Sequence, residues 1–146
     1  MAVPIIRLLK KWEETRPDRL TVLDSPPGTS CPMVETVRGS DFVILVTEPT
    51  PFGLHDLVLA VEVVRDLGLP MGIVINRDGI GYGGVEEFCA SEGLPILLRI
   101  PFDRGIAEGL AKGNTLLDVR PDYGSRFRMI VEGIAGLVAP AGASGA

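Results

Sequence analysis

The sequence predicts an α/β protein in which a parallel sheet of about four strands carries helices on both faces. Short runs rich in Val, Ile and Leu alternate along the chain with segments of helical periodicity, as they do in βαβ units. The runs are almost wholly apolar, which is typical of strands buried on both faces. They lie at 20–23, 42–47, 71–76 and 96–100 of the 146 residues, a length that indicates one domain.

The first third of the chain predicts two helices and two strands. Ile5, Leu8, Leu9 and Trp12 mark one face of an opening helix, which Pro17-Asp18 ends. The strand 20–23 is followed by a loop, then by a short helix over 33–38 that Gly39 closes. The second strand, 42–47, ends at Glu48-Pro49.

The remaining elements follow the same alternation. Apolar residues between Leu54 and Leu67 recur at helical spacing, and Gly68 supplies the position after the helix end. A short helix over 85–92 separates the third and fourth strands. Asp103 is placed to cap a helix that Gly113 ends. A last helix has its apolar stripe between Phe127 and Val138, and residues 139–146 form a predicted disordered tail after a domain over 1–138.

Polar and special residues gather where the predicted strands end. The four strands end at Asp24, Thr47, Asn76 and Pro101. The carboxyl ends of parallel strands share one rim, where open α/β sheets bind ligands. The sequence therefore predicts a ligand site on this rim.

The segment Asp24-Ser25-Pro26-Pro27-Gly28 gives the rim its most specific motif. A carboxylate at a strand end can hold Mg²⁺ through its water shell, because Mg²⁺ dehydrates reluctantly. The two prolines fix the backbone, and Gly28 then allows its N–H to approach a phosphate closely. The motif therefore predicts the magnesium half of a nucleotide site.

Composition and charge limit the classes of partner that we expect for this protein. The net charge is −5 and the longest basic cluster is Lys10-Lys11, so we expect no nucleic-acid partner. No uncharged stretch approaches a membrane span and no secretory signal is present, so we expect no membrane association. The two cysteines, Cys31 and Cys89, fit a reducing cytoplasm.

Four segments together resemble the C-terminal half of the MinD/ParA-type P-loop ATPases, in the branch that carries an inserted ferredoxin domain. They read DSPPGTSC, VTEPTPFGLHDL, GIVINR and IPFD. The resemblance implies a partial P-loop NTPase (Rossmann-like) fold that binds ATP and Mg²⁺. Asp24 then resembles the Walker B carboxylate that orders the Mg²⁺ water shell, and Gly28 the glycine that senses the γ-phosphate. Asn76 resembles the residue that reads adenine, and the loop of Pro101, Phe102 and Asp103 resembles the one that borders the base.

Two family features are absent from the sequence. A P-loop reads G-x-x-x-x-G-K-[ST], and none of the three lysines, Lys10, Lys11 and Lys112, stands in such a motif. Clustered cysteines are also absent, so the chain offers no iron–sulfur ligands. We therefore expect the C-terminal portion of an ATP-binding and ATP-hydrolysing protein, truncated and inactive alone. The full-length form would be coupled to iron–sulfur or redox function.

Two alternatives stay open at this point. The chain could be a non-enzymatic module that completes a nucleotide site with a separate P-loop subunit. It could also be a dinucleotide-binding domain, because Gly79–Gly84 formally matches G-x-G-x-x-G. The expected partners are ATP or ADP, with either the missing P-loop half or a second copy of the chain.

The resemblance also implies a gap in the sheet. In the resembling family the P-loop strand lies between the strands that correspond to 20–23 and 42–47. Without it, those two strands must pair directly, associate with another molecule through open edges, or belong to a loosened globule.

Overall fold

The computed structural model describes residues 2–13 and 20–138, apart from the side chains of residues 12 and 13. The predicted tail at 139–146 and the helix end at Pro17-Asp18 lie outside the described residues. In chain order the elements are α1 (Ala2–Glu13), α2 (Cys31–Val37), β1 (Val43–Thr47), α3 (Pro51–Asp66), β2 (Met71–Asp78), α4 (Gly84–Ser91), β3 (Ile96–Pro101), α5 (Arg104–Ala111), α6 (Leu116–Val119) and α7 (Tyr123–Val138). From α2 to α5 helices and strands alternate as the sequence predicts, whereas the described residues between α1 and α2 contain no strand.

The sheet has three parallel strands in the order β1-β2-β3, with β2 in the centre. The predicted α/β class with a parallel sheet is confirmed. The prediction of a strand at 20–23 is wrong: this segment is not part of the sheet, and Leu20 and Val22 are exposed. An apolar run becomes a buried strand only where it pairs with a neighbouring strand, and none of the three strands in the described residues pairs with this segment.

The first face of the sheet carries the larger core. Helices α2, α3 and α4 pack against β1 and β2 there, and Val61, Val64, Ile73, Ile75 and Val85 are almost completely buried. The helix ends follow local signals. The Thr50 hydroxyl caps α3 by accepting a hydrogen bond from the Gly53 amide at 2.9 Å. Gly68 ends α3 with a φ of +68°, as predicted.

The second face is less completely covered. Val74 of β2, Leu98 of β3 and Tyr123 of α7 form a smaller core there. Val46 of β1 lies beside Val74 in the strand register, on the same face. Val74 is 7% exposed, whereas Val46 is 66% and Ile44 is 44% exposed. The second face is therefore covered over β2 and β3 and bare over β1.

Helix α1 lies against α2 through polar contacts. The Lys10 ammonium donates to the carbonyl oxygens of Glu35 and Thr36 at 3.0 Å each, near the C-terminal end of α2. Arg7 forms an ion pair with Glu35 at 2.8 Å. The apolar face that the sequence predicts for α1 is largely exposed at Ile5, Leu8 and Leu9. The direct pairing between 20–23 and β1 that would close the gap in the sheet does not form.

Candidate functional site

The candidate site lies on the rim where the three strands end. β1 ends at Thr47, β2 at Asp78 and β3 at Pro101, and the strands are parallel, so all three ends lie at one edge of the sheet. Asn76, Pro101, Phe102 and Asp103, which the sequence places at this edge, are found there. The structure therefore brings the predicted base-binding residues together.

A β-bulge shapes the end of β2. Ile75 is aligned with Arg99 and Asp78 with Pro101, so three steps along β2 match two steps along β3. The extra residue is accommodated by Arg77, the one non-glycine residue with positive φ among those described, at +56°. Bulges re-aim side chains, and backbone strain of this kind concentrates at functional sites. Within the described chain, the half-buried Asn76 side chain makes no hydrogen bond, which leaves its amide available to a ligand.

Arg77 and Phe102 form an aromatic and cationic platform at the same rim. The Arg77 guanidinium lies over the Phe102 ring, 5.1 Å from the ring centroid, and 3.4 Å from the Glu48 carboxylate. The Phe102 amide donates to the Asp78 carbonyl at 2.8 Å, which fixes the loop after β3 to the end of β2. The Phe102 ring is largely exposed. A flat heteroaromatic ligand can stack on such a surface while the Asn76 amide hydrogen-bonds its edge.

Asp103 has a structural task at this rim. Its carboxylate accepts hydrogen bonds from the Gly105 and Ile106 amides at 2.7 and 3.3 Å, so it caps α5 as predicted. Arg120 lies 3.6 Å from the other carboxylate oxygen. These contacts hold the backbone of the 101–103 loop in place. The backbone, rather than the Asp103 carboxylate, is then the part of the loop that a base can meet.

An ion-pair network supports the platform from β3. Arg99 lies 2.8 Å from Glu86 of α4 and 3.3 Å from Asp78 at the end of β2. The hydrogen bond from Arg99 holds the pKa of Glu86 below its ordinary value. The second oxygen of Glu86 is buried and has no hydrogen-bond partner in the structure, so Arg99 is the carboxylate's main source of compensation.

We expect Glu86→Gln to flatten the loss of stability in acid. The lowered pKa means that the folded state favours the ionised carboxylate, so the stabilisation is complete above the ordinary pKa of a glutamate. It is lost as the pH falls through the lowered pKa. The contribution is less than about 1 kcal/mol, because the pair is partly exposed. Urea unfolding between pH 3 and 7 measures it.

The matched control for that experiment is Glu87→Gln. Glu87 neighbours Glu86 on α4 and is exposed, and the described residues offer it no ion pair. If the two variants change the acid side of the stability profile equally, Arg99 does not act on Glu86 as the geometry indicates.

Asp24 and Gly28 lie in a different setting from the one predicted. Both are exposed, and Asp24 follows the segment 20–23, which is not a strand of the sheet. Asp24 lines a small cleft of about 160 Å³ between this segment and helices α1 and α2, together with Ile6, Leu9, Lys10, Val22, Leu23 and Thr36. Gly28 has a φ of +84°, which suits the free backbone that the Pro-Pro-Gly motif predicts. Their roles at a phosphate stay predictions.

The described part of the chain shows no metal-binding cluster. No three His, Cys, Asp or Glu side chains in it are grouped to hold a metal ion. Cys89 is buried, and burial raises the pKa of its thiol, whereas Cys31 is exposed at the start of α2. Among the helices over 2–13 and 20–138, none is both long and apolar enough to cross a membrane.

Arg77 and Arg99 are the site residues that sequence reasoning missed. Arg99 lies inside an otherwise apolar strand, and that interruption is a signal that could have indicated a role for it. The positive φ of Arg77 has no comparable signal, because positive φ is predicted from Gly, Asn or Asp.

No protein-family model matches the chain, but several known proteins are similar to it in sequence. An uncharacterized protein of Methanocaldococcus jannaschii is 33% identical over 118 residues, 77% of this chain and 39% of that protein. A second uncharacterized protein of the same organism is 26% identical over 128 residues, 88% of this chain and 44% of that protein. An iron-sulfur cluster carrier protein of Aquifex aeolicus is 30% identical over 116 residues, 69% of this chain and 32% of that protein.

The fold has a solved counterpart. The crystal structure of the cell division ATPase MinD from Pyrococcus furiosus matches 90% of this chain with a TM-score of 0.68 and 25% identity, and the match covers 59% of the MinD chain. The chain thus spans between about a third and three fifths of the proteins that it resembles.

Proposed function

This chain is related to the MinD/ParA-type P-loop ATPases, and from that premise we propose that it is the C-terminal portion of a MinD-like nucleotide-binding domain. Its task in that domain is to bind the adenine base of ATP or ADP. A P-loop half supplies the groups that bind the phosphates and most of the catalytic residues. The proposal places the protein in the cytoplasm, where ATP is available.

The observation that carries the proposal is the half-buried Asn76 amide near the end of β2, on the rim where Phe102 follows β3. An amide both donates and accepts hydrogen bonds, which matches the adjacent donor and acceptor on the edge of adenine. The bulge at Arg77 changes the direction of the side chains at the end of β2. The Phe102 amide donates a hydrogen bond to the Asp78 carbonyl at 2.8 Å, which holds the loop after β3 against the end of β2. Aromatic and guanidinium faces both stack on bases.

Magnesium fits this chain only in part. Asp24 can order one side of a hydrated Mg²⁺, but a single exposed carboxylate does not retain the ion without phosphate oxygens. In the complete domain we propose that Asp24 holds the water shell and that the Gly28 N–H contacts the terminal phosphate. Catalysis of phosphoryl transfer is mostly positioning and charge neutralisation, which requires the P-loop lysine as well.

We also propose that the full-length protein acts in iron–sulfur or redox chemistry. The support is the name of the Aquifex aeolicus relative, an iron-sulfur cluster carrier protein. Of the two cysteines here, Cys89 is buried among apolar side chains and Cys31 stands alone at the surface. Any cluster would therefore take its ligands from outside these 146 residues.

We expect this chain to bind adenosine, ADP and ATP with similar, weak affinities, because the base site is present and no phosphate loop accompanies it. Asn76→Ala should weaken adenosine binding at least tenfold, about 1.4 kcal/mol, by removing two hydrogen bonds to the base. Isothermal titration calorimetry measures both effects.

The chain offers a matched control for this test in Asn114, its other asparagine. Asn114 lies after α5 and uses its backbone amide, which donates to the Gly109 carbonyl. Asn114→Ala should leave adenosine affinity unchanged. A strong preference for ATP over adenosine, or equal loss in the two variants, would contradict the assignment of the base site.

A further inference from the structure

We infer that Ile80 is a further binding residue of the proposed base site, and that the loop which carries it closes over the bound base. We define the closing loop as residues 79–81, which follow β2 directly. The inference rests on the proposed function. It adds the side chain that covers the base and the movement that brings this side chain there.

The first end of the closing loop is fixed at the rim. The Asp78 carbonyl accepts a hydrogen bond from the Phe102 amide at 2.8 Å, and this carbonyl belongs to the peptide bond that joins Asp78 to Gly79. Consecutive Cα atoms are about 3.8 Å apart, so the Cα atom of Ile80 lies within about 10 Å of the Phe102 amide nitrogen. Ile80 is therefore within reach of a ligand that stacks on Phe102, whichever direction the loop takes.

The second end of the closing loop is held by Tyr82. This side chain is half-buried, and its ring lies against Gly84, the first residue of α4. The contact is so close that a β-carbon on Gly84 would lie 2.5 Å from the Tyr82 hydroxyl oxygen. The chain is thus anchored on both sides of residues 79–81.

Between these anchors the backbone stands clear of the rest of the protein. Gly79 has a φ of +98° and Gly81 a φ of +93°, and both residues are exposed. A β-carbon on either residue would meet no described atom within 4 Å. The two glycines therefore serve the backbone conformation rather than close packing, and such residues absorb the dihedral changes of a hinge.

Ile80 is the one residue of the closing loop that has a side chain, and this side chain is apolar and 41% exposed. A base that Asn76 holds by its edge and Phe102 holds by stacking has its other face open to water. Ile80 removes apolar surface from water when it covers that face. The exclusion of water also strengthens the hydrogen bonds between Asn76 and the base.

The glycines of this segment also match a phosphate-binding motif, but the helix that follows opposes that use. The first turn of α4 carries Glu86 and Glu87. A phosphate at a helix N-terminus is held by backbone amides and by the helix dipole, and two carboxylates in the first turn repel it. The chemistry of the segment therefore favours an uncharged ligand group, as a base is, over a phosphate.

The test compares Ile80→Ser with Leu59→Ser by isothermal titration calorimetry. Leu59 is the matched control, because it is 39% exposed and lies in the middle of α3, away from the rim loops. Ile80→Ser should weaken adenosine binding about fivefold through the lost apolar contact, and Leu59→Ser should leave it unchanged. The loss for ADP should equal the loss for adenosine, because Ile80 covers the base. Equal affinities of the two serine variants would overturn the inference, and so would a larger loss for ADP, which would assign the loop to the phosphates.

Hydrogen exchange measures the closure itself. Saturating adenosine should slow the exchange of the backbone amides at residues 79–82. The amides of residues 112–114 are the control, because this turn is also exposed and contains a glycine with positive φ, Gly113. Their exchange should not change. Equal exchange at residues 79–82 with and without adenosine would contradict the closure.

The same measurements separate this inference from the proposed function. Adenosine binding that Asn76→Ala weakens and Ile80→Ser leaves intact would reject the closing loop and leave the base site standing. Absence of adenosine binding by the wild-type chain would overturn the base site, and the closing loop with it.

Discussion

We expect Ile73→Ala to remove about 2–5 kcal/mol from the free energy of unfolding, a large share of the roughly 5–15 kcal/mol of an ordinary domain. Ile73 is completely buried in the central strand, and its side chain packs in the core that α3 and α4 cover. Strand β2 is paired on both sides, which limits how far the backbone can move to fill the cavity. Within the described residues, no strand pairs with the outer edge of β1, and Val46 on its second face is exposed.

The control for this prediction is Ile44→Ala, the same chemical change one strand away. Ile44 is 44% exposed, so its truncation should cost less than about 1 kcal/mol. Urea denaturation followed by far-UV circular dichroism should show a lower midpoint for Ile73→Ala and little change for Ile44→Ala. Equal costs would mean that the sheet is packed as tightly at β1 as at β2, contrary to the exposure of Ile44 and Val46.

Local signals predict the helix boundaries of this chain well. Gly68 and Asp103 act through backbone angles or hydrogen bonds within a few residues, and each has the role that the sequence indicates. The four-residue helix α6 was missed. Its signal is the capping box between Thr115 and Asp118, which is as short as the helix itself.

Burial depends on distant neighbours, and there the sequence misleads. The run 20–23 has the same composition as a buried strand, yet it stays outside the sheet and Val22 is exposed. The apolar face of α1 is exposed for the same reason, since its helical periodicity indicates a core that the described chain does not supply. A pattern tells which side chains would be buried, and only the fold tells what would bury them.

In the site, too, features set by local sequence could be predicted and features set by contacts between distant segments could not. Asn76 and the 101–103 loop were predicted from their places after strands, and the parallel sheet brings them together. The bulge at Arg77 could not be predicted, because it follows from the mismatch in register between β2 and β3. The Arg77 guanidinium lies over the Phe102 ring because the bulge sets the direction of the Arg77 side chain.

The second large effect concerns catalysis: we expect this chain alone to release no measurable phosphate from Mg-ATP. Hydrolysis requires a cation that holds the β- and γ-phosphates in line. Of the three lysines, Lys10 already donates to two carbonyl groups of α2, and Lys112 lies directly after α5 with its backbone in the helix cap. Neither of these lysines, nor the adjacent Lys11 on α1, follows a strand of the sheet.

Steady-state phosphate release with Mg-ATP measures this expectation. Asp24→Ala and Asp66→Ala form the diagnostic pair, because both remove an exposed carboxylate but Asp66 lies at the far end of α3 from the rim. Both variants and the wild type should show only the background rate. Turnover that Asp24→Ala abolishes and Asp66→Ala preserves would contradict the prediction, since Asp24 would then act with a phosphate site inside these 146 residues.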